Sequence, residues 1–179
     1  MKARLKTIFF TALSAVTLFS AVTYTSCEND KCKSIVCAYG SVCSDGTCLC
    51  QTGYEGPQCE TITRERYLGP WRVTENGTIT DAIQYTVSVE PGDNISEVRI
   101  KSFRNLLVDY VSAFVVSDSI YVPEQTVQNY TIVGHGYITD EKYYGDNGKM
   151  VLYYKIVDNT TGVVDDFGHE NGDPSVWNK

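Results

Sequence analysis

The chain has 179 residues with 22 acidic and 15 basic side chains, a net charge of −7, seven cysteines, thirteen tyrosines and two histidines. All three charges of the first 26 residues (Lys2, Arg4, Lys6) are positive, so the remainder stands at −10. A polyanion without a run of lysine or arginine is excluded as a binder of nucleic acid or anionic lipid heads, and seven thiols cannot all pair among themselves.

Behind the cationic head, Ile8 to Val22 is mostly apolar with small hydroxyl residues interspersed. It is too short and too interrupted for a stable membrane span and has the pattern of an export signal that is removed from the mature chain. Thr25-Ser26-Cys27 then places a cysteine directly after two small residues. This stretch resembles the lipobox of bacterial lipoproteins, although Tyr24 stands where that motif usually has an aliphatic residue. The resemblance implies a signal peptide over residues 1–26, fatty acylation of Cys27, a membrane as partner through that anchor, and location at a bacterial outer membrane. Glu28 and Asp30 in the tether, residues 27–31, resemble the acidic export tag of outward-facing surface lipoproteins. With Cys27 acylated, an even number of thiols remains.

Those six cysteines fall at 32, 37, 43, 48, 50 and 59. Spacing alone does not choose among the possible pairings. Zinc ligation calls for Cys-x2-Cys spacing and a reducing compartment, neither of which is present. A segment this short cannot bury enough apolar surface to offset its chain entropy, so covalent staples must substitute. Asp45-Gly46 signals a hairpin turn, and Gly53 and Gly56 bracket Tyr54 in the last loop. The whole pattern resembles an EGF-like module over residues 32–60. That resemblance implies the pairs Cys32–Cys43, Cys37–Cys48 and Cys50–Cys59. It also implies no calcium site, because Lys31 stands where calcium-binding members carry an acid.

Residues 61–66 are short and charged and read as a linker. From 67 to 179 the texture changes: cysteine disappears, and β-branched and aromatic residues dominate. Tyr85, Val87 and Val89 alternate with Thr86 and Ser88, and Val98 and Ile100 alternate with Arg99 and Lys101. Both runs read as half-buried strands, joined by a turn at Pro91-Gly92-Asp93-Asn94. Leu107 to Val116, the run opening at Ile120, Tyr130 to Thr139 with Gly134 and Gly136 marking a bend, and Lys149 to Asp158 continue the series. Asp146-Asn147-Gly148 and Asn159 to Gly162 are the later turns. An all-β, up-and-down antiparallel meander follows, closed into a barrel to remove its edges, with a small β-sandwich as the rival arrangement. Gly69-Pro70-Trp71 resembles the Gly-x-Trp motif of lipocalins. The sequence of lipid cysteine, EGF-like module and β domain is similar to a recurring class of surface lipoproteins, which implies a lipocalin-like fold for residues 67–179.

Catalytic machinery is not expected. No cysteine is left for nucleophilic work, and no Gly-x-Ser-x-Gly elbow or phosphate-cradling glycine loop occurs. Asp165, Asp166, Glu170 and Asp173 fit no calcium-loop template and read as exposed loop around His169, so neither a metal nor a cofactor is expected. Tyr143, Tyr144, Tyr153 and Tyr154 come as adjacent pairs, which on strands face opposite ways. They are the candidate binding residues for a glycan or protein, since tyrosine presents apolar area with little rotamer entropy to lose. Asp118-Ser119-Ile120 resembles an O-glycosylation acceptor, making Ser119 the candidate modified residue. The expected function is a non-catalytic surface binding protein. The alternatives are a carrier of an apolar ligand inside the barrel and a glycan hydrolase.

Overall fold

The computed structural model describes residues 31–139 and 148–179. Cys27, the tether before Lys31, Tyr143, Tyr144 and the turn residues Asp146 and Asn147 lie outside the described residues. The N-terminal unit is built on two small hairpins. In the first, β1 (Val42–Ser44) pairs with β2 (Thr47–Leu49) across Asp45 and Gly46, whose φ values of 53° and 89° are those of a two-residue primed turn. In the second, β3 (Tyr54–Glu55) pairs with β4 (Thr61–Ile62). Disulfides join Cys32 to Cys43, Cys37 to Cys48 and Cys50 to Cys59, the same three pairs the resemblance implies. This arrangement fits an EGF-like module.

Residues 61–66 are more than a linker. Thr61 and Ile62 form β4, and Thr63–Arg66 form a 3-10 turn that docks on the second unit. Arg64 donates to the carbonyls of Gly92 (3.2 Å) and Asn94 (2.6 Å), while Arg66 reaches Asp118 at 2.6 Å. Gly53 has no Cβ because the Ile95 side chain occupies that space: an ideal Cβ there would lie 2.6 Å from Ile95 Cγ2. The joint is therefore braced by ion pairing, carbonyl clasps and packing.

The second unit is a closed, eight-stranded antiparallel barrel, consistent with a lipocalin-like fold. Its strands are β5 (Gly69–Glu75), β6 (Ile83–Pro91), β7 (Glu97–Lys101), β8 (Val111–Val116), β9 (Ser119–Val127), β10 (Tyr130–Thr139), β11 (Lys149–Asp158) and, after a short strand β12 (Val164–Phe167), β13 (Ser175–Asn178). Consecutive strands pair from β5 to β11, and β13 closes the ring between β11 and β5. Leu107 to Tyr110, expected within a strand, form loop; β8 begins at Val111. The last two strands were not evident in the sequence. β13 takes the first half of β11 (Lys149–Leu152) and β12 the second half (Lys155–Val157).

Period-two alternation places Trp71, Val73 and Glu75 of β5 inward, then Tyr85, Val87 and Val89 of β6, and so around the wall. Trp71, Trp177, Tyr154, Phe103 and Phe167 are fully buried and interlock in the centre, with Phe167 stacked on Tyr154 at 4.5 Å. Gly134 and Gly136 face inward where β10 lies close against β11. A Cβ on Gly136 would meet the Val151 carbonyl at 2.3 Å, so only glycine permits this approach. The irregularity in this wall lies opposite, in β9: between the pairs Ile132–Gln125 and Gly134–Val122 that strand carries one extra residue, and Pro123, lacking a donor, falls within the bulge.

Candidate binding surface

Two sets of side chains stand out, one inside the barrel and one on its wall. The inner set closes the end distant from the disulfide-stapled unit. Glu75, with a fully buried side chain, accepts hydrogen bonds from Tyr85 Oη (2.9 Å), Tyr154 Oη (3.0 Å) and Ser175 Oγ (2.7 Å). Burial pushes the phenols of Tyr154 and Tyr85 well above their ordinary pKa, so both remain donors. Arg104 enters from the β7–β8 loop. Its Nε lies 3.5 Å from Glu75 Oε1, its Nη2 3.2 Å from Asp165 Oδ2, and its guanidinium sits 4.8 Å above the Phe167 ring. Two acids thus converge, but on a cation that fills the space between them.

Asp165 and Asp166 correct the expectation of an exposed acidic loop. Both are buried on β12. β12 does not pair with β5; at this end of the seam the β5–β6 loop fills in, and Asp165 holds it. Its carboxylate accepts the Ile79 amide at 3.0 Å and the hydroxyl of Thr80. Asp166 accepts the amides of His169 (2.7 Å) and Glu170 (3.1 Å), shaping the following turn. Burial raises the Asp165 pKa, but the donors from Thr80 and Ile79 and the charge of Arg104 outweigh it, so the net shift is downward. A depressed carboxylate pKa contributes stability that is fully present above the unfolded value of about 4 and is lost as pH falls through the folded value. Acid titration of the urea midpoint is expected to show the Asp165→Asn protein already weakened at neutral pH and flatter than the parent below about pH 4. Equal slopes would remove Asp165 from the acid response.

The outer set is a row of rings. Tyr153 on β11 faces His135 on β10, which faces Tyr121 on β9, which faces Phe114 on β8; each is in direct register with the next. His135 stacks on Tyr153 with centroids 5.4 Å apart and planes 12° from parallel, and His169 meets His135 edge-on at 6.0 Å. Tyr137 lies 6.3 Å from Tyr153, and hydrogen bonding to it, with burial adding, raises the Tyr153 pKa. Phe114, Val116, Tyr121 and Tyr137 are all exposed, Tyr121 by 51%.

Of the candidate tyrosines, Tyr153 lies in this row. Tyr154 does not: its side chain is wholly inside the barrel, bonded to Glu75, and is a core residue rather than a contact residue. Ser119 opens β9 beside the exposed Tyr137, partly buried. Glu170 is at the surface, 2.5 Å from Lys155. Among the described residues, no group of three His, Cys, Asp or Glu side chains has a metal-holding arrangement. Sequence reasoning missed Tyr121, Phe114, Tyr137, Arg104 and Glu75. Glu75 carried a usable signal, since the alternation Trp71, Val73, Glu75 puts an acid on the inward phase. No protein-family model matches the chain.

Proposed function

We propose that this chain is a non-catalytic, lipid-anchored surface protein whose barrel wall is a contact site for another protein. The observation that carries this reading is the register row Tyr153, His135, Tyr121 and Phe114. Aromatic rings aligned across four neighbouring strands, exposed at His135, Tyr121 and Phe114 and half-buried at Tyr153, have the composition of an interface core. The rings of Tyr153 and His135 stack on each other, so one face of each is already covered. That suits a protein surface better than a sugar, which needs a free ring face to lie on. The inward positions are taken by large aromatic and aliphatic side chains, which favours work on the wall over carriage of an apolar ligand inside. The acids Glu75 and Asp165 are both engaged by donors and by Arg104, which favours binding over hydrolysis. Acylation of Cys27 supplies the anchor, outer-membrane display the setting, and the EGF-like module the spacer. The lipobox-like Thr25-Ser26-Cys27 and the even cysteine count that remains support this assignment.

Photo-crosslinking from the wall of the acylated, full chain is the test, run beside a glycan array. A Tyr121→Ala/Tyr153→Ala protein is expected to keep its urea midpoint, because surface changes of this kind alter stability by only about 0.5 kcal/mol. It is expected to lose partner affinity by roughly tenfold or more, as loss of central aromatic anchors does. Capture that survives both substitutions sinks the wall as the site, and array binding without a protein partner replaces the protein reading with a glycan one.

A further inference from the structure

We infer that the first hairpin of the disulfide-stapled module is a membrane-contact surface, seating the module in the headgroup region of the bilayer that the anchor enters. This rests on acylation of Cys27 as proposed above. Val42 of β1 and Leu49 of β2 are direct cross-strand partners, 67% and 60% exposed, on the face opposite Cys43 and Cys48. Val36 (78% exposed) and Tyr39 add to the module's uncovered apolar area. The barrel does not cover the hairpin pair, because the module meets the barrel through Gly53, Arg64 and Arg66 instead.

The occupant follows from reach. Cys32 lies five positions after Cys27, with four residues between them, and at full extension that stretch spans no more than about 18 Å. The module is therefore confined near the lipid. The interfacial layer between hydrocarbon and water is itself roughly 5–8 Å deep on each side. A large exposed apolar pair in that position loses less by entering the interface than by standing in water, and tyrosine, part apolar and part wet, suits the same depth. Lys33 is exposed, next to the first disulfide, where a phosphate head would meet it. The opposite end of the barrel also bears apolar residues, Val108 the most exposed, but β-strands of nine or ten residues separate it from the module by roughly 30 Å.

Both native tryptophans, Trp71 and Trp177, are fully buried, so an introduced tryptophan reports its own surroundings. The acylated full chain is placed in phosphatidylcholine vesicles brominated near the glycerol end of the acyl chains, as Leu49→Trp and, separately, Val108→Trp. Mass spectrometry first establishes that Cys27 is acylated; an unmodified thiol there overturns the anchor and this inference together. With acylation present, the Leu49→Trp protein is expected to lose about half of its added fluorescence and the Val108→Trp protein none, since bromine quenches only at close range within the interface. Equal quenching at the two positions, or none at residue 49, overturns membrane seating while leaving the anchor intact. In that outcome the hairpin faces water or another protein.

Discussion

Replacement of Glu75 by alanine is expected to destabilise the barrel by about 3–5 kcal/mol, the range for removing one partner from a buried charge pair. Three hydroxyl donors, from Tyr85, Tyr154 and Ser175, lose their common acceptor inside the core, and Arg104 loses one of its two carboxylates. An unpaired buried donor costs about 1–3 kcal/mol, and the guanidinium adds a charge that burial does not tolerate alone. The turn that delivers Arg104 is itself strained: Ser102, Arg104 and Asn105 all have positive φ, near 55°. Such backbone persists only where surrounding contacts over-determine it. The Glu75→Ala protein is therefore expected to release the 102–110 loop as well, seen as faster amide exchange at Leu106 and Leu107, whose amides bond to Phe103 in the closed form. Urea unfolding followed through Trp71 and Trp177 gives the energy. A loss below about 1 kcal/mol would mean that the network is not a closure of the barrel.

Opening the Cys37–Cys48 bond by a Cys37→Ser/Cys48→Ser double replacement is expected to unfold the module and leave the barrel standing. The bond closes a loop of 11 residues, for which the chain-entropy model gives a contribution of about 3 kcal/mol. The Cys32–Cys43 and Cys50–Cys59 bonds remain, but little apolar packing backs them, since the module's buried apolar set is essentially Cys48 and Cys59. The barrel has its own core, from Trp71 on β5 to Trp177 on β13, and loses only the joint at one end: the braces from Arg64 and Arg66 and the packing of Ile95 on Gly53. Limited proteolysis distinguishes the two units. Cleavage confined to residues 32–59 with native tryptophan fluorescence is the expected pattern. A module that stays protected, or a barrel that unfolds with it, would show that stability is shared across the joint in a way that the two separate cores do not suggest.

The alternation in Tyr85-Val87-Val89 and Val98-Ile100 was legible because a pleated strand with one wet face imposes a period of two on its residues. The turn at Asp45-Gly46 was legible for a similar reason: two consecutive positive φ angles admit few residue types. β12 escaped because Asp165 and Asp166 read as polar surface. Their burial depends on donors from Thr78, Ile79 and Thr80, which lie more than 80 positions away. Tyr154 was separable from Tyr153 as its opposite in facing, but which of the two pointed inward depended on strand phase around the closed ring. The row from Tyr153 to Phe114 had no local signature at all, because its members are spread over four strands and meet only through register.

Local chemistry, by itself, determined that the chain is all-β, where its thiol-rich segment ends, and which strand faces are apolar. Each of these depends on contacts between near neighbours or on composition. Tertiary structure alone decided that Arg104 plugs the barrel end between Glu75 and Asp165, that residues 61–66 brace the joint, and that four rings share one wall. Those outcomes require closing long loops, and the entropy of closure is recovered only when distant partners arrive together. A side chain's neighbours across a sheet are set by register, and register is a property of the closed barrel rather than of any one strand.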